Sequence, residues 1–349
     1  MLLEKDTLSS GGSGAAGAFL SPKICSNSTY TSFVNKAFNF SIAFYKENFS
    51  SFLRQDGILR ILKSEKDIQK CKNPPKEIRD VKFLKQNEME YISKEIAPFG
   101  GYFFENGALV DSKGLVSAMA KNFDVKEGVF VEQLEKIEEL YKVGSYRSKG
   151  VIVCTGSDIE FEGFEYIKLK KTYGHRVDIK TDVKLPFHLH KNYSVSSNKN
   201  STIHIGATHI PMYKYSDIEV KKELERMIKE ASSYIDLKEF KIEKNHFGAR
   251  SCSFDFFPIV GKVIDYKKTL QRYPYIKKGS KVPSSKYIYH DNLYIHTAHG
   301  ARGFVLSPYT AWKLAEHIKN DISLPKEIST ERIFLKFARD KTSKASQNV

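Results

Sequence analysis

A strand, a glycine-containing turn and a helix follow one another near the end of the sequence, and this junction constrains the fold more than any other segment. The apolar run at 293–298 is typical of a buried strand, 299–303 of a turn and 307–318 of a helix. In such a junction, backbone N–H groups of the turn and of the helix start can face an anionic or electron-rich ligand. The junction is therefore a candidate ligand-binding edge.

Two further segments have the composition of ligand-binding edges. Residues 151–156 run from apolar positions into a glycine, and crevices outside such strand ends are where α/β sheets bind nucleotides, although a glycine there is also ordinary turn chemistry. Residues 1–4 resemble a strand end with an acidic side chain, and a loop of small residues follows at 9–18. That loop favours close approach of a backbone or ligand over a flexible linker, because it continues into a helical pattern at 33–49.

The middle of the chain divides into segments that differ in composition and in predicted secondary structure. Residues 58–93 are charged and typical of helices, which indicates a peripheral excursion. Residues 100–111 predict a short hairpin, followed by a helix at 112–122. Residues 168–289 are strand-rich with one clear helix at 217–235, which indicates a mostly antiparallel substrate domain. The length of 349 residues exceeds the usual size of one hydrophobic core, so we expect two interleaved domains.

Net charge and cysteine content limit the classes of protein to which the chain can belong. The formal net charge of +15 would attract polyanions such as nucleic acids, and a merely Lys-rich surface is the other interpretation. Residues 267–286, with tyrosines among the lysines, are a candidate RNA-contacting edge, for which a solvated loop is the alternative. Four scattered cysteines without a C-x-x-C pair predict a reduced, cytoplasmic protein without zinc. No run approaches the roughly 18 to 20 apolar residues of a membrane-spanning helix.

The order of these segments resembles the D-amino-acid-oxidase family of FAD-dependent oxidoreductases over nearly the whole chain. Four blocks carry the resemblance: Leu3-Glu4 with the small-residue loop; 151–156; Gly248-Ala249-Arg250 followed by Asp255, Pro258 and Gly261; and Gly300-Ala301-Arg302-Gly303. The resemblance implies an α/β (α+β) fold, in which a Rossmann-like FAD-binding domain is interleaved with a mostly antiparallel substrate domain.

The resemblance also implies a division of the chain. FAD-binding parts are expected at 1–57, 95–165 and 290–335, a peripheral helical excursion at 58–94, the substrate domain mainly at 166–289, and a tail at 336–349. Family members normally begin with a strand and the motif Gly-x-Gly-x-x-Gly, which binds the FAD pyrophosphate. Nothing of that kind precedes Met1, so we expect an FAD-binding domain without its first strand and glycine motif, as in an amino-terminally truncated chain.

A non-covalent FAD site follows from the resemblance. The residues that it implies are Glu4, Ser10, Gly11, Gly12, Ser13, Gly14, Thr155, Gly156, Gly300, Ala301, Arg302 and Gly303. The Glu4 carboxylate can accept both ribose hydroxyl hydrogens, whereas without the resemblance a solvated acid at a strand end is the simpler interpretation.

Two arginines are implied as substrate-binding residues, Arg250 and Arg302, because only Arg offers a planar, permanently charged fork for a carboxylate. Arg302 could instead stabilise negative charge on reduced flavin, and Arg250 could instead form a salt bridge with Asp255. A hydrogen-bonded structural role is favoured for His299 over acid–base chemistry, and no catalytic residue is assigned.

Within the family, residues 11–22, 173–177 and 205–209 resemble the oxidase modules of the MnmC family of tRNA wobble-uridine modification enzymes. This implies removal of the carboxymethyl group from 5-carboxymethylaminomethyl-(2-thio)uridine at tRNA position 34, with glyoxylate as the second product. A separate or upstream methyltransferase would then complete the modification. The alternatives are a flavin oxidase of a free glycine-like or sarcosine-like amine, and a non-catalytic RNA-binding protein that retains the fold.

Overall fold

The computed structural model describes residues 1–24, 28–71, 73–89, 91–92, 95–235 and 237–340. Residues 341–349, most of the expected tail, lie outside the described residues. Within the described chain, no helix combines the length and the apolar character needed to cross a membrane.

The described residues form twenty strands in five sheets. The strands are β1 (Leu2–Leu3), β2 (Phe19–Leu20), β3 (Leu53–Arg54), β4 (Ile58–Ile61), β5 (Val81–Leu84), β6 (Gly101–Phe104), β7 (Ala108–Val110), β8 (Val125–Lys126), β9 (Leu134–Ile137), β10 (Leu140–Val143), β11 (Tyr146–Ser148), β12 (Val151–Val153), β13 (Lys170–Lys180), β14 (His188–His190), β15 (Ser194–Val195), β16 (Thr202–Gly206), β17 (Ile210–Pro211), β18 (Lys241–Cys252), β19 (Ile259–Ile264) and β20 (Tyr289–Thr297).

Eight α-helices and six short 3₁₀ helices connect the strands in the same part of the chain. The α-helices are α1 (Gly12–Ala15), α2 (Thr29–Asn48), α3 (Glu65–Cys71), α4 (Ser112–Ala120), α5 (Asp217–Tyr234), α6 (Tyr266–Arg272), α7 (Gly303–Asn320) and α8 (Thr330–Arg339). The 3₁₀ helices are Ser50–Phe52, Gln86–Glu88, Met212–Lys214, Pro274–Lys278, Ser284–Lys286 and Gly300–Arg302.

The largest sheet has nine strands and is mostly antiparallel. Its order is β17-β13-β16-β15-β14-β4-β6-β5, and β18 pairs with β13 over the full length of that strand. Side chains alternate along β13, so Val177 and Ile179 are buried in a cluster with Met227 and Tyr234 of α5. The opposite face carries polar and glycine positions, which leaves it available for a site.

A smaller sheet carries the junction predicted near the end of the sequence. β12 and β19 flank β20, and β12 runs parallel to β20, so both strands end at the same edge. α7 begins directly after this edge and packs on α2, with Phe38, Val305 and Leu306 buried between the layers. The predicted strand, turn and helix are therefore present in that order.

Two segments differ from the interpretation of the sequence. Strands β4 and β5 of the large sheet lie within 58–94, where a helical excursion was expected, and α3 is the one α-helix there among the described residues. Ile58, Leu59 and Ile61 are fully or almost fully buried, so packing decides the conformation of a segment whose charged neighbours suggest a helix. The expected hairpin at 100–111 also separates, because β6 pairs with β4 and β5 while β7 pairs with β2 and β3.

The predicted fold class is confirmed, since mixed sheets and helices are combined with a large antiparallel sheet. The expectation of reduced cysteines needs correction. Cys154 and Cys252 are free, whereas Cys71 is disulfide-bonded. No group of three or more His, Cys, Asp or Glu side chains that could hold a metal is found in the described ranges.

Candidate cofactor and substrate site

The small-residue loop packs against the end of β18. A Cβ atom on Gly12 would lie 2.6 Å from the carbonyl oxygen of Ala249, and a Cβ on Gly248 would lie 2.8 Å from the Cβ of Ala15. Real Cβ atoms do not approach other atoms so closely, so glycine is required on both sides of this contact. The first and third blocks are therefore in contact, although more than half of the chain separates them in sequence.

The other two blocks join at the same end of β18. Cys252 forms a β-bridge with His299, and the Oγ of Ser251 lies 3.3 Å from Oγ1 of Thr297. Thr297 in turn donates a hydrogen bond of 2.5 Å to the carbonyl of Gly156. The small-residue loop, the second block and the fourth block therefore meet around the last five residues of β18, which belong to the third block.

Arg250 lies in a notch on the large sheet. Its Nη1 donates to the carbonyl of Thr208 at 3.1 Å and lies 3.3 Å from Nδ1 of His209. A Cβ on Gly174 of the neighbouring strand would be only 2.3 Å from Nη2 of Arg250, so the guanidinium fills the space that a side chain would need. Burial, and next the Arg250 charge, lower the pKa of His209 to about 4.

The alternative salt bridge between Arg250 and Asp255 does not form. Asp255 instead pairs with Arg332, whose Nε lies 3.0 Å from Oδ2 and whose Nη2 lies 3.2 Å from Oδ1. Asp255 also accepts a hydrogen bond from Ser253 at 2.9 Å. The Arg250 guanidinium thus has backbone and imidazole partners but no ion pair among the described residues.

Lys23, Arg60 and Arg302 form a second positively charged group, which we call the cation cluster. All three side chains are partly buried. Arg302 donates to the Ser21 carbonyl at 2.9 Å, and the Lys23 ammonium lies 5.7 Å from the centre of the Tyr30 ring. Burial, and then the charges of Arg302 and Arg60, lower the pKa of Lys23. The three cations are therefore close enough to act on one another.

No carboxylate forms an ion pair with the cation cluster within the described part of the chain. Burial lowers the pKa of Arg60, and the charge of Asp67 opposes this shift without forming an ion pair. The Asp67 carboxylate itself accepts a hydrogen bond from the Lys63 N–H. Partly buried cations without a counter-charge are costly, because desolvation is not offset by attraction. Such an arrangement is typical of a site that receives an anion.

The fold positions the members of the cation cluster from distant segments. Arg60 lies on β4, and its pairing partner on the parallel strand β14 is His190. Burial, followed by the Arg60 and Arg302 charges, lowers the pKa of His190 to about 3, so this ring is neutral at neutral pH. The backbone of Lys23 is held by Asn35, which accepts from the Lys23 N–H at 2.8 Å and donates to its carbonyl at 3.0 Å.

Sequence reasoning identified Arg302 but missed Lys23, Arg60 and His190. Arg60 stands in the segment interpreted as a peripheral excursion, and Lys23 is an isolated lysine in a loop. The one available signal was the apolar, β-branched context of Arg60, which is typical of a buried strand.

The predicted cofactor residues differ in their surroundings. Glu4 follows β1 and accepts a hydrogen bond of 3.3 Å from the Asp6 N–H. A Cβ atom on Gly11, Gly156 or Gly303 would contact nothing within 4 Å, whereas one on Gly14 would collide with the Ser9 carbonyl. Three of these glycines therefore border open space.

The remaining predicted cofactor residues are Ser10, Gly12, Ser13, Thr155, Gly300 and Ala301. Gly12 and Ser13 begin α1, and Ser10 precedes it. Thr155 follows β12 and donates to the carbonyl of Asp158. Gly300 has φ of +58° and begins the turn before α7.

His299 is fixed by α7. Its Nε2 lies 3.0 Å from Oγ1 of Thr310, and Nε2 of His296 lies 2.8 Å from the same oxygen. Thr310 donates its own hydroxyl hydrogen to the Leu306 carbonyl, so it accepts from both rings. Burial, and then His296, hold the pKa of His299 well below its usual range. These contacts give both histidines a structural role.

Comparison with known proteins agrees with this geometry. The sequence model of the family described as FAD dependent oxidoreductase (DAO) matches residues 1–317. The chain belongs to this family. The predicted membership is thereby confirmed, and FAD is the cofactor of the family.

Curated relatives of the chain carry the MnmC name. The bifunctional protein MnmC of tRNA 5-methylaminomethyl-2-thiouridine biosynthesis from Campylobacter fetus is 23% identical over 265 residues, covering 72% of this chain and 42% of that protein. The protein of the same name from Campylobacter jejuni is 28% identical over 254 residues, covering 71% of this chain and 36% of that protein. The chain therefore spans less than half of the length of these relatives.

Solved structures share the fold at low sequence identity. Glycine oxidase from Geobacillus kaustophilus superposes with a TM-score of 0.72 at 17% identity, covering 92% of this chain and 88% of that one. L-proline dehydrogenase from P. horikoshii gives a TM-score of 0.69 at 16% identity, with 96% and 90% covered. These likenesses establish the DAO fold.

The residues present fit the flavin portion of FAD. Gly11, Gly156 and Gly303 leave space where side chains would otherwise project. The start of α7, an 18-residue helix, has no side-chain hydrogen bond from its N-cap, Arg302. Its first N–H groups and the adjacent cations can therefore face an electron-rich ring system.

Proposed function

We propose that the chain is an FAD-dependent oxidase that acts on a CH–NH group and removes the carboxymethyl group of 5-carboxymethylaminomethyl-(2-thio)uridine at tRNA position 34. The cation cluster carries this proposal. The substrate side chain is an N-substituted glycine, so it brings a carboxylate next to the carbon that is oxidised. The MnmC relatives support tRNA as the substrate class, and the cation cluster supports the carboxylate.

FAD would be held by Glu4, by the loop of Ser10, Gly11, Gly12, Ser13 and Gly14, by Thr155 and Gly156, and by the turn of Gly300, Ala301, Arg302 and Gly303. When bound, it would supply a hydride acceptor for the carbon beside the amine, with oxygen as the final electron acceptor. The expected division into FAD-binding parts at 1–57, 95–165 and 290–335, and a substrate domain mainly at 166–289, belongs to this proposal.

The protein's own contribution is binding and orientation. Arg302, Arg60 and Lys23 bind the substrate carboxylate, since a fork of charged donors fixes both its position and its direction. Arg250 already has two protein partners on the large sheet, and we assign it to orienting the substrate from that side. Precise placement of the methylene group is the main requirement, because the cofactor performs the difficult chemical step.

The cations also favour the reactive form of the substrate. Nearby positive charges lower the pKa of an amine, because they disfavour its protonated form. A substrate amine held beside Arg302 and Arg60 would therefore lose its proton near neutral pH, without a dedicated general base. His190, kept neutral by burial and by the same charges, adds no further positive charge.

The overall reaction balances with oxygen and water. The C–N bond between the methylene carbon and the uridine-bound amine breaks after the carbon is oxidised and water is added. The products are the aminomethyl uridine, glyoxylate and hydrogen peroxide. We further propose a separate or upstream methyltransferase partner, because the curated relatives are described as bifunctional. We also propose a cytoplasmic location, because that is where a tRNA substrate would be met.

The test offers two substrates to the FAD-loaded chain. One is tRNA carrying the carboxymethylaminomethyl uridine, and the other is free glycine or sarcosine at the same concentration. We expect the tRNA nucleoside to lose the mass of a carboxymethyl group and glyoxylate to form in equal amount. Faster oxidation of the free amine would support the small-amine oxidase instead. RNA binding without oxidation by the FAD-loaded chain would support the non-catalytic alternative.

A further inference from the structure

The segment 266–286, which we call the basic platform, concentrates the positive charge of the chain. It contains Lys267, Lys268, Arg272, Lys277, Lys278, Lys281 and Lys286 and no acidic residue. These seven cations compare with a net charge of +15 for all 349 residues. Nearly half of the surplus charge thus lies in one short segment.

The basic platform is a fixed surface, anchored by apolar side chains. Ile276 is fully buried, and Leu270 and Tyr287 are nearly so, in a cluster that includes Phe334 of α8. The Asp265 carboxylate caps α6 by accepting from the Lys268 N–H at 3.0 Å. The backbone that carries the cations is therefore held by packing, which favours a binding surface over a solvated loop.

Most of the cations in the basic platform have no counter-charge. Lys267 pairs with Glu162 at 3.0 Å, and Lys268 pairs with Asp265 at 3.1 Å. The other five form no ion pair with any described residue, and they are exposed: Arg272, Lys277, Lys278, Lys281 and Lys286. Like charges so close together repel each other unless a polyanion or salt ions neutralise them.

Aromatic rings lie among these unpaired cations. The Arg272 guanidinium is 5.7 Å from the centre of the Tyr273 ring, and Tyr275 packs edge-on against Tyr273 at 6.1 Å. Tyr275 is 45% exposed. Cations that contact phosphates and rings on which bases stack are the combination found where proteins bind single-stranded nucleic acid.

The basic platform lies at the opposite end of β20 from the glycine turn that carries Arg302. β20 begins at Tyr289, just after the platform, and ends at Thr297 beside the glycine turn. At roughly 3.3 Å per residue, this strand spans about 26 Å. A free amino acid at the reacting carbon could not reach so far, whereas a folded RNA could.

We propose that the basic platform binds the phosphate backbone of the RNA substrate, at nucleotides remote from the one that reacts. This inference rests on the proposed function and specifies where the RNA lies. Each phosphate contact adds about 0.7 to 0.9 to the slope of log affinity against log salt concentration. Removing three cations should therefore reduce that slope by about 2.

The test compares two triple variants with equal loss of charge. The platform variant is Lys277→Gln/Lys278→Gln/Lys281→Gln, and the matched control is Lys221→Gln/Lys222→Gln/Lys229→Gln, which changes three exposed lysines of α5. Fluorescence anisotropy gives the tRNA affinity between 50 and 200 mM salt. Oxidation of the free modified nucleoside reports the reactive site separately.

We expect the platform variant to bind tRNA about tenfold more weakly at 100 mM salt, with a slope lower by about 2 and unchanged oxidation of the nucleoside. The control should keep the wild-type slope. Equal weakening by both variants, or wild-type binding by the platform variant, would overturn the platform proposal while leaving the proposed reaction intact. If the wild-type chain neither binds nor oxidises tRNA, the proposed function and the platform proposal both fail.

Discussion

Two of the groups of partly buried charges in this molecule differ in whether a carboxylate is present. In the first, which we call the Asp178 cluster, the carboxylate of Asp178 contacts Nδ1 of His204 and Nε2 of His246, each at 2.7 Å, and Nε of Arg176 at 3.0 Å. In the second, the cation cluster, Lys23, Arg60 and Arg302 have no ion pair among the described residues.

The difference shows which group serves the structure and which serves a ligand. Although burial raises the pKa of Asp178, the hydrogen bond and charge of His204 and the charge of Arg176 hold it well below its usual range. Arg176 also donates to the carbonyl of Ala16, so the cluster ties the large sheet to the small-residue loop. The cation cluster lacks such compensation, and we infer that an anionic ligand supplies it.

The largest effect is expected from Asp178→Asn. Removing this carboxylate leaves Arg176 partly buried without its counter-charge, which should lower the free energy of unfolding by about 3 kcal/mol. Urea denaturation measures this loss. Asp182→Asn, at an exposed position nearby, serves as the control and should change little. A loss below about 1 kcal/mol would mean that the Asp178 cluster does not hold the loop in place.

Arg60→Met should reduce the activity of the protein but not its stability. We expect kcat/KM to fall about 100-fold, equivalent to roughly 2.7 kcal/mol, while the free energy of unfolding stays equal or rises because an uncompensated cation is removed. Steady-state kinetics and urea denaturation measure the two quantities. Arg79→Met, at an exposed arginine, is the matched control. Loss of stability with retained activity would assign Arg60 to the structure.

Gly174→Ala tests the position of Arg250. A Cβ atom there would lie 2.3 Å from Nη2 of Arg250, so the guanidinium must move. Because it is the end of a flexible side chain, the protein should fold while KM rises about tenfold with little change in kcat. An unchanged KM, combined with a raised KM in Arg250→Met, would show that the arginine binds substrate from its displaced position.

The smallest effect concerns pH and His188. This ring is fully buried and its Nδ1 accepts from the Ser197 N–H at 2.9 Å, while burial and then the Arg54 charge lower its pKa to about 4. Protons therefore bind the unfolded chain better, so stability should fall as pH drops from about 6.5 towards 4, by at most about 1.4 kcal/mol per pH unit from this group. His188→Asn should make the pH dependence of urea denaturation shallower by this amount, and an identical profile would contradict the assignment.

Sequence reasoning could predict the blocks but only part of the site. Glycines next to buried strands and an arginine between glycines are local signals, so the regions of Gly248 to Arg250 and of Arg302 could be located. The cation cluster could not, because Lys23 lies in the loop before α2 and Arg60 on β4, and only the folded chain brings them close together. Neither residue stands in a motif, and their lack of carboxylate partners is visible only in three dimensions.

The central claim is that the cation cluster binds the substrate carboxylate beside FAD. Its most direct test is an absorbance titration of the FAD-loaded chain with acetate and with acetamide, which has the same shape but no charge. We expect acetate to perturb the flavin spectrum and compete with substrate, acetamide to do neither, and Arg60→Met/Arg302→Met to abolish the response. Equal responses to acetate and acetamide, or wild-type acetate binding by the double variant, would contradict the account.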